Sequence, residues 1–466
     1  MQAIIDFIYG LLWNNLITIP LPGGGELGFP LMVLLLVPAG IYFTIRTKCL
    51  PVRCMGEMMR ISVEKKKGSG KNSISGWQTL VVSTATRVGM GNMAGVVAAI
   101  SAGGPGAVFW MWITALLGMS TAYIESTLAH MHRQSDPLYG GTRGGPAQYI
   151  HAFFAKGKTK KRVVLATVFA VAGLLCWGGI SQVIANSVSS AFEYAFNVKP
   201  LITTIILVVI SAVIVLRKNA TVKVLDIIVP IMAVFYFALT LFVIISNAAS
   251  LPSVFGRIFA EAFSLKAVAG GGLGAALTYG VQRGLFSNEA GSGSAPCAAA
   301  AADVDHSAKA GLFQSFGVFI DSIIICTCTA MIMLLAPQDA IAGLEGMPLL
   351  QAAMHHHFGQ PGVIFIAITL WLFCFSTFIG VLFYARSVTA YLFGDNWASQ
   401  TGYKIFSLIM LFIGGIAAYT IVWQISDIGM GIMTIINLAV LLPMGGQALK
   451  ALEEYLSIRK AEKQAK

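Results

Sequence analysis

Two ten-residue stretches carry the same polar groups inside apolar surroundings. Residues 86–95 read Thr-Arg-Val-Gly-Met-Gly-Asn-Met-Ala-Gly, and residues 282–291 read Gln-Arg-Gly-Leu-Phe-Ser-Asn-Glu-Ala-Gly. At a constant offset Arg87 matches Arg283, Asn92 matches Asn288, Ala94 matches Ala290 and Gly95 matches Gly291. Asparagine offers an amide oxygen and an NH2 group, which suits a polar solute in a dry site. Gly89, Gly91 and Gly95 in one copy, and Gly284, Gly291 and Gly293 in or beside the other, permit a helix break and close backbone approach. Small-residue helix packing also enriches glycine in membranes, so the Gly/Asn clusters carry the argument rather than any single glycine. Interrupted hydrophobic segments at matching places in two halves of a chain point to the binding site of a secondary transporter.

The elements that must position these groups are membrane helices. The 466 residues are 56% hydrophobic and 11% charged, whereas a soluble domain carries about one charged residue in four. Continuous apolar runs of spanning length predict an all-α polytopic membrane protein, and their lack of alternation argues against a β-barrel. No polar interval is long enough to build a soluble core. The net charge of +11 sits mainly in a few loops, as the positive-inside rule produces, and does not indicate a nucleic-acid partner. The seven cysteines contain no Cys-x-x-Cys, so neither a zinc site nor a disulfide framework is expected. Residues 3–17 lack a basic leader and read as a short interfacial helix.

Eleven spans are predicted, near 28–47, 76–100, 105–132, 163–192, 200–216, 223–247, 268–302, 308–336, 361–393, 404–421 and 428–446. The 46–71 loop holds eight Lys/Arg, the 133–162 loop seven and the tail after the last span five. Arg217, Lys218 and Lys223 mark another basic turn. The intervening loops hold one at 193–199, two at 248–267 and none at 337–360. That alternation places the N-terminus outside and the C-terminus in the cytoplasm. The matched stretches then fall on spans two and seven, which run in opposite directions. The expected organisation is an N-terminal part at 1–75, a five-helix repeat at 76–247, an extracellular connection at 248–267, a second, inverted five-helix repeat at 268–446 and a cytoplasmic tail at 447–466.

Five motifs together give a family resemblance: Arg-Val-Gly-Met-Gly-Asn-Met-Ala-Gly at 87–95, Gly-Gly-Pro-Gly-Ala-Val-Phe-Trp-Met-Trp at 103–112, Gly-Gly-Pro-Ala-Gln-Tyr-Ile at 144–150, Gly-Leu-Phe-Ser-Asn-Glu-Ala-Gly-Ser-Gly-Ser-Ala-Pro at 284–296 and Gly-Val-Phe-Ile-Asp-Ser at 317–322. They resemble the alanine or glycine:cation symporter family over nearly the whole chain. The resemblance implies a LeuT-like 5+5 inverted repeat with one additional N-terminal span. It also implies uptake of a small neutral amino acid driven by sodium across the bacterial cytoplasmic membrane, with no organic cofactor. Position 90 is Met, where the resemblance implies a small hydroxyl residue in many members. Alanine, glycine, serine and glutamine all stay open as cargo.

An amino-acid zwitterion needs donors for its carboxylate and acceptors for its ammonium, and unwound backbone supplies both. The expected substrate-binding residues are Thr86, Gly89, Met90, Gly91, Asn92, Gln182, Phe286, Ser287, Asn288, Gly291, Trp371 and Phe375. Gln182 lies beside Trp177 and needs a partner inside its apolar span, either the cargo or a neighbouring helix. Trp371 and Phe375 are four apart on one helix face and could wall a pocket or simply fill a core. By the resemblance, sodium takes hydroxyls from Ser376 and Thr377 and carbonyls from Ala85 and Val88, an oxygen-only shell that suits a hard cation. Arg87, Arg283, Glu125, Glu289 and Asp321 are ionisable groups inside spans and functional candidates on that ground. An Arg–carboxylate pair among them could latch a gate or be a fixed structural pair. His355, His356 and His357 read as a solvated run, and the basic 65–67 and 158–162 runs as topology determinants that touch anionic lipid.

Proton coupling on the same fold is the first alternative. A membrane enzyme is disfavoured because no His-Glu-x-x-His, Gly-x-Ser-x-Gly or phosphate loop is present. A channel is disfavoured because two differently decorated breaks fit one bound solute better than a pore.

Overall fold

The computed structural model describes residues 2–21, 25–62, 88–155, 162–217, 225–264, 272–341 and 343–465. Helix α1 (Gln2–Trp13) opens the chain. It does not run to 17 as expected. Asn14 and Asn15 end it, and the β-branched stretch that follows forms β1 (Asn15–Leu21), paired antiparallel with β2 (Gly25–Pro30). Asparagine competes for backbone hydrogen bonds, and Ile and Thr fit a pleated strand better than a helix.

Next come α2 (Leu31–Arg46) and the short α3 (Met55–Ser62). Span two resumes at Val88 and passes through a π-helical turn, Gly91–Gly95, into α4 (Val96–Gly103). The chain continues through α5 (Gly106–Met131), α6 (Pro146–Ala155), α7 (Val164–Phe196) and α8 (Pro200–Val215). Helix α9 (Leu225–Ser246) bends by 74° into α10 (Leu251–Ala262). The expected 248–267 connection is therefore largely helical, and its end is held where Trp110 Nε1 donates to the Ala262 carbonyl at 3.0 Å.

Helix α11 (Gly272–Asn288) stops inside the expected 268–302 span. After an irregular stretch and a short turn at Pro296–Ala299 come α12 (Ser307–Leu334), α13 (Met347–Phe358), α14 (Gln360–Phe393), α15 (Trp397–Ile416) and α16 (Tyr419–Gln464). Helix α12 contains its own π-turn, Phe319–Ile325. Helix α16 is 46 residues long and absorbs the expected tail at 447–466. Its far end is tied to α3 by Glu57, which accepts from Tyr455 Oη at 2.5 Å and Arg459 Nε at 3.2 Å.

Five described helices are long and apolar enough to cross a membrane, or six with the bent pair as one span. Helices α7, α14 and α16 bury small and polar residues inward, while side chains such as Val234, Phe235 and Ile245 on α9 face out. Apolar surface on the outside of a bundle with a polar-dotted interior is what lipid surroundings select.

Candidate functional site

The π-turn of span two and the end of α11 meet at the centre of the bundle. A Cβ at Gly91 would stand 3.0 Å from Ser287 Cα and 3.4 Å from the Phe286 carbonyl. Asn92 Nδ2 donates to Ser287 Oγ at 3.4 Å, closing the gap between the two segments. Gly91, Asn92, Phe286 and Ser287 are thus brought together.

Asn92 is bonded at both ends of its amide. Its Oδ1 accepts from the Gly89 backbone N–H at 2.8 Å, and its Nδ2 donates to Asp321 Oδ1 at 2.6 Å and to the Asp321 carbonyl at 3.1 Å. Its own carbonyl accepts from Thr329 at 2.7 Å. Asp321 sits in the π-turn of α12 and also accepts from Ser287 and Ser322, at 2.8 and 2.9 Å. A π-turn leaves local carbonyls displaced from the usual ladder, and such turns cluster at functional sites.

The α11 break is different in kind. Glu289, Gly291 and Gly293 take positive φ values of 57°, 93° and 86°. Gly293 has no alternative, because a Cβ there would also lie 2.6 Å from Pro146. The irregular strand is strapped from several helices. Gly291 N–H donates to Glu125 Oε1 at 3.2 Å. Asn437 Nδ2 donates to the Gly291 carbonyl at 3.0 Å and to Glu125 Oε2 at 2.8 Å, and Tyr149 donates to Asn437 Oδ1. Trp177 Nε1 donates to Ser294 Oγ at 3.2 Å. Asn288 is fully buried; its Oδ1 accepts from Ala290 N–H at 3.0 Å, but its Nδ2 has no hydrogen-bond partner among the described residues. An orphaned buried amide donor calls for an explanation, and a bound solute is one.

Thr377 on α14 packs into the start of span two. Its Oγ1 accepts from Met90 N–H at 3.1 Å and donates to the Phe373 carbonyl at 3.0 Å. A Cβ at Gly89 would collide with this hydroxyl. Val88, Gly89 and Met90 are buried, and the half-buried Thr377 packs against Gly89 and Met90, with Ser376 buried next to it in sequence. A hydroxyl with one proton given and one lone pair taken keeps a second lone pair for a cation. Ala85 and Thr86, with Arg87, lie outside the described residues.

Two expected site residues meet other helices. Gln182 packs against α15, with Nε2 3.3 Å from Met410 Sδ and its backbone against Gly414. Trp371 lies against Phe192 with ring centroids 5.0 Å apart. Phe375 is buried in the same apolar core as Met90 and Phe286. Of the His run, His355 and His356 are exposed, while His357 Nε2 is 3.1 Å from the Ile332 carbonyl.

Arg283 does find a carboxylate. Its Nη1 and Nη2 reach Asp427 Oδ1 and Oδ2 at 3.1 and 2.7 Å. Its guanidinium lies 4.1 Å from the centroid of the Trp423 ring, and that ring is 4.8 Å from Phe286. Gln282 adds a bond to Asp427 at 3.0 Å and one to Tyr9 of α1 at 3.1 Å. Toward the opposite end of the bundle, Asp136 pairs with Arg386, while Arg143 bridges to Asp395 at 2.7 Å. The sequence reading missed Asp427 because span eleven was started at 428. Helix α16 begins at Tyr419, so Asp427 lies two turns inside it. An ionisable residue bordering an apolar run was the available signal. Asn437, polar and mid-span, was equally visible and equally passed over.

Broken helices whose gaps gather buried polar groups, in a bundle with a lipid-suited exterior, define a multi-pass membrane transporter. Residues 25–466 match the model of the sodium:alanine symporter family. The chain belongs to that family, and it is a transporter rather than an enzyme. It is 39% identical to the probable sodium/glutamine symporter GlnT of Bacillus subtilis, covering 99% of this chain and 93% of that one. It is 35% identical to the sodium/alanine symporter AgcS of Methanococcus maripaludis, covering 93% and 96%. A mutant of the Eremococcus coleocola manganese transporter shares the fold with a TM-score of 0.52 at 15% identity, over 84% of this chain and 82% of that one.

Proposed function

We propose that this protein imports a small neutral amino acid, alanine or glycine, together with sodium, by alternating access across the bacterial cytoplasmic membrane. The reading with glutamine as cargo comes second, supported by the 39% identity to a glutamine carrier and by the bulk of Met90 beside the break. The observation that carries the site is the orphaned Nδ2 of buried Asn288. It supplies a donor where a carboxylate would lie, and the positive φ values at Glu289, Gly291 and Gly293 turn the backbone around it out of the helical ladder.

Five spans from 76 to 247 and five inverted spans from 268 to 446 are the architecture, with α2 as the additional span. Sodium takes Thr377 and Ser376 hydroxyls and the carbonyls of Ala85 and Val88. With the N-terminus outside, Arg283–Asp427 is the outer latch and the Asp136–Arg386 network the inner one. Both are closed here, which describes an occluded state. The test is uptake of radiolabelled alanine, glycine and glutamine into proteoliposomes under an inward sodium gradient, against potassium and proton gradients. Sodium-driven accumulation of one of the three is expected. Accumulation under the proton gradient alone would replace sodium with a proton as the coupling ion.

A further inference from the structure

A second polar space lies outside the central site. It is a cavity of about 280 Å³ between the C-terminal half of α7, the start of α8, the 345–347 turn and the α15–α16 junction. Its depth reaches Ala94 in the π-turn of span two, and Tyr419 forms part of its wall. The Tyr419 ring is 6.1 Å from Trp423, the same ring that covers Arg283. The cavity therefore adjoins the Arg283–Asp427 latch without containing it.

Its lining is oxygen-rich and carries one sign of charge. Glu193 and Glu345 are both exposed at the cavity, and among the described residues no Lys or Arg lines it. Ser187 is 3% exposed and lines the cavity with no partner for its hydroxyl among the described residues. Asn186 spends its Nδ2 on the Ala417 and Gly414 carbonyls at 2.9 and 3.3 Å, which leaves its amide oxygen without a partner among the described residues. Ser189 bonds the Gly415 carbonyl at 3.2 Å, so the wall is pinned to the α15–α16 junction. Carboxylate, hydroxyl and amide oxygens together are the ligand chemistry of a hard monovalent cation or an ammonium group. A cleft lined by one sign of charge concentrates the opposite ion and speeds its capture.

We propose that this cavity is a loading antechamber that holds a small monovalent cation before the latch opens. The cation is sodium itself or the ammonium end of the amino acid. The inference rests on the transport reading above, with this face turned outward. Glu193 and Glu345 hold the ion at the mouth, and the Ser187 hydroxyl and Asn186 amide oxygen take it deeper. None of these groups belongs to the central site, so removing their charge slows loading and leaves turnover intact.

The test uses the full chain in proteoliposomes, comparing wild type with Glu193→Gln, Glu345→Gln and the double variant. At low ionic strength the double variant is expected to raise a KM by ~3- to 10-fold with kcat unchanged. About 1 M choline chloride, where the Debye length is near 3 Å, should erase the difference. A rise in the sodium KM alone identifies sodium as the held ion, and a rise in the amino-acid KM alone identifies the ammonium. Unmoved KM values in all three variants, with wild-type uptake intact, overturn the antechamber alone. A wild type without sodium-driven uptake overturns the transport reading and the antechamber with it. A second measurement is independent of the Gln variants. Glu345→Cys in a Cys49→Ser background is treated with impermeant thiol reagents of either charge. The anionic reagent should restore the low KM and the cationic one raise it further, and equal effects of both would reject the proposal.

Discussion

The two helix breaks match in sequence and differ in what they leave undone. In span two the described residues pass through a π-turn without leaving helical backbone, and Asn92 is bonded at both ends of its amide. After α11 the backbone turns to positive φ at Glu289, Gly291 and Gly293, and among the described residues Asn288 is bonded only through its oxygen. The first break is completed by the protein's own groups, chiefly Asp321 and Thr329. The second is held in shape by Glu125 and Asn437 and still presents an unused donor. The matched sequence stretches thus mark where both breaks fall. The surrounding helices decide which one has its amide fully bonded and which one keeps a donor without a partner among the described residues.

Substitutions can push on this difference, beginning with the largest expected effect. Gly293→Ala should cost about 3 kcal/mol or more in stability, because it combines an unfavourable φ with a clash on Pro146; a thermal melt in detergent measures it. Asn92→Ala should come next, at about 2–3 kcal/mol, since it strands the Gly89 N–H and removes a donor from buried Asp321. Asn288→Ala should cost only ~1 kcal/mol of stability while raising the amino-acid KM by about tenfold, or 1.4 kcal/mol of binding. Equal stability losses at Asn92 and Asn288, with no KM change at the latter, would erase the distinction between the breaks. Thr377→Ala should raise the sodium KM more than the amino-acid KM, read from uptake at varied sodium.

The smallest effect lies far from both breaks, at Glu57. Burial alone would raise its pKa, but hydrogen bonds from Arg60 and Tyr455 and the charges of Arg60 and Arg459 outweigh it, so the carboxyl sits below its usual value. A depressed folded-state pKa adds stability above the unfolded-state pKa and loses it as pH falls through the folded one. Wild type should therefore lose a small increment of stability on acidification below about pH 4, and Glu57→Gln should show a flatter profile in the same melts.

Much of this was legible because hydropathy reports how long a segment can stay out of water. Helices α5, α7, α8, α12 and α14 start and stop within a few residues of the expected spans. The position of the α11 break was legible too, since glycine, serine and asparagine rarely continue a helix together. Facing was not legible. Gln182 and Trp371 lie on the right helices but meet α15 and Phe192. Partners distant in sequence were also hidden, as with Arg283 and Asp427, 144 residues apart. The β1–β2 hairpin escaped notice because its residues are as apolar as a helix end and only their branching favours a strand.

Helix α16 joins two of these places in one rod. It carries Asp427 near its start and Tyr455 and Arg459 near its end. At 1.5 Å per residue, Asp427 and Tyr455 are about 42 Å apart along the axis. Pro443 lies between them and removes one rung of the helical ladder. Such a rod behaves as a lever with a built-in joint. Tilting it to free Arg283 at one end drags on the Glu57 clamp at the other, unless the proline joint takes up the angle.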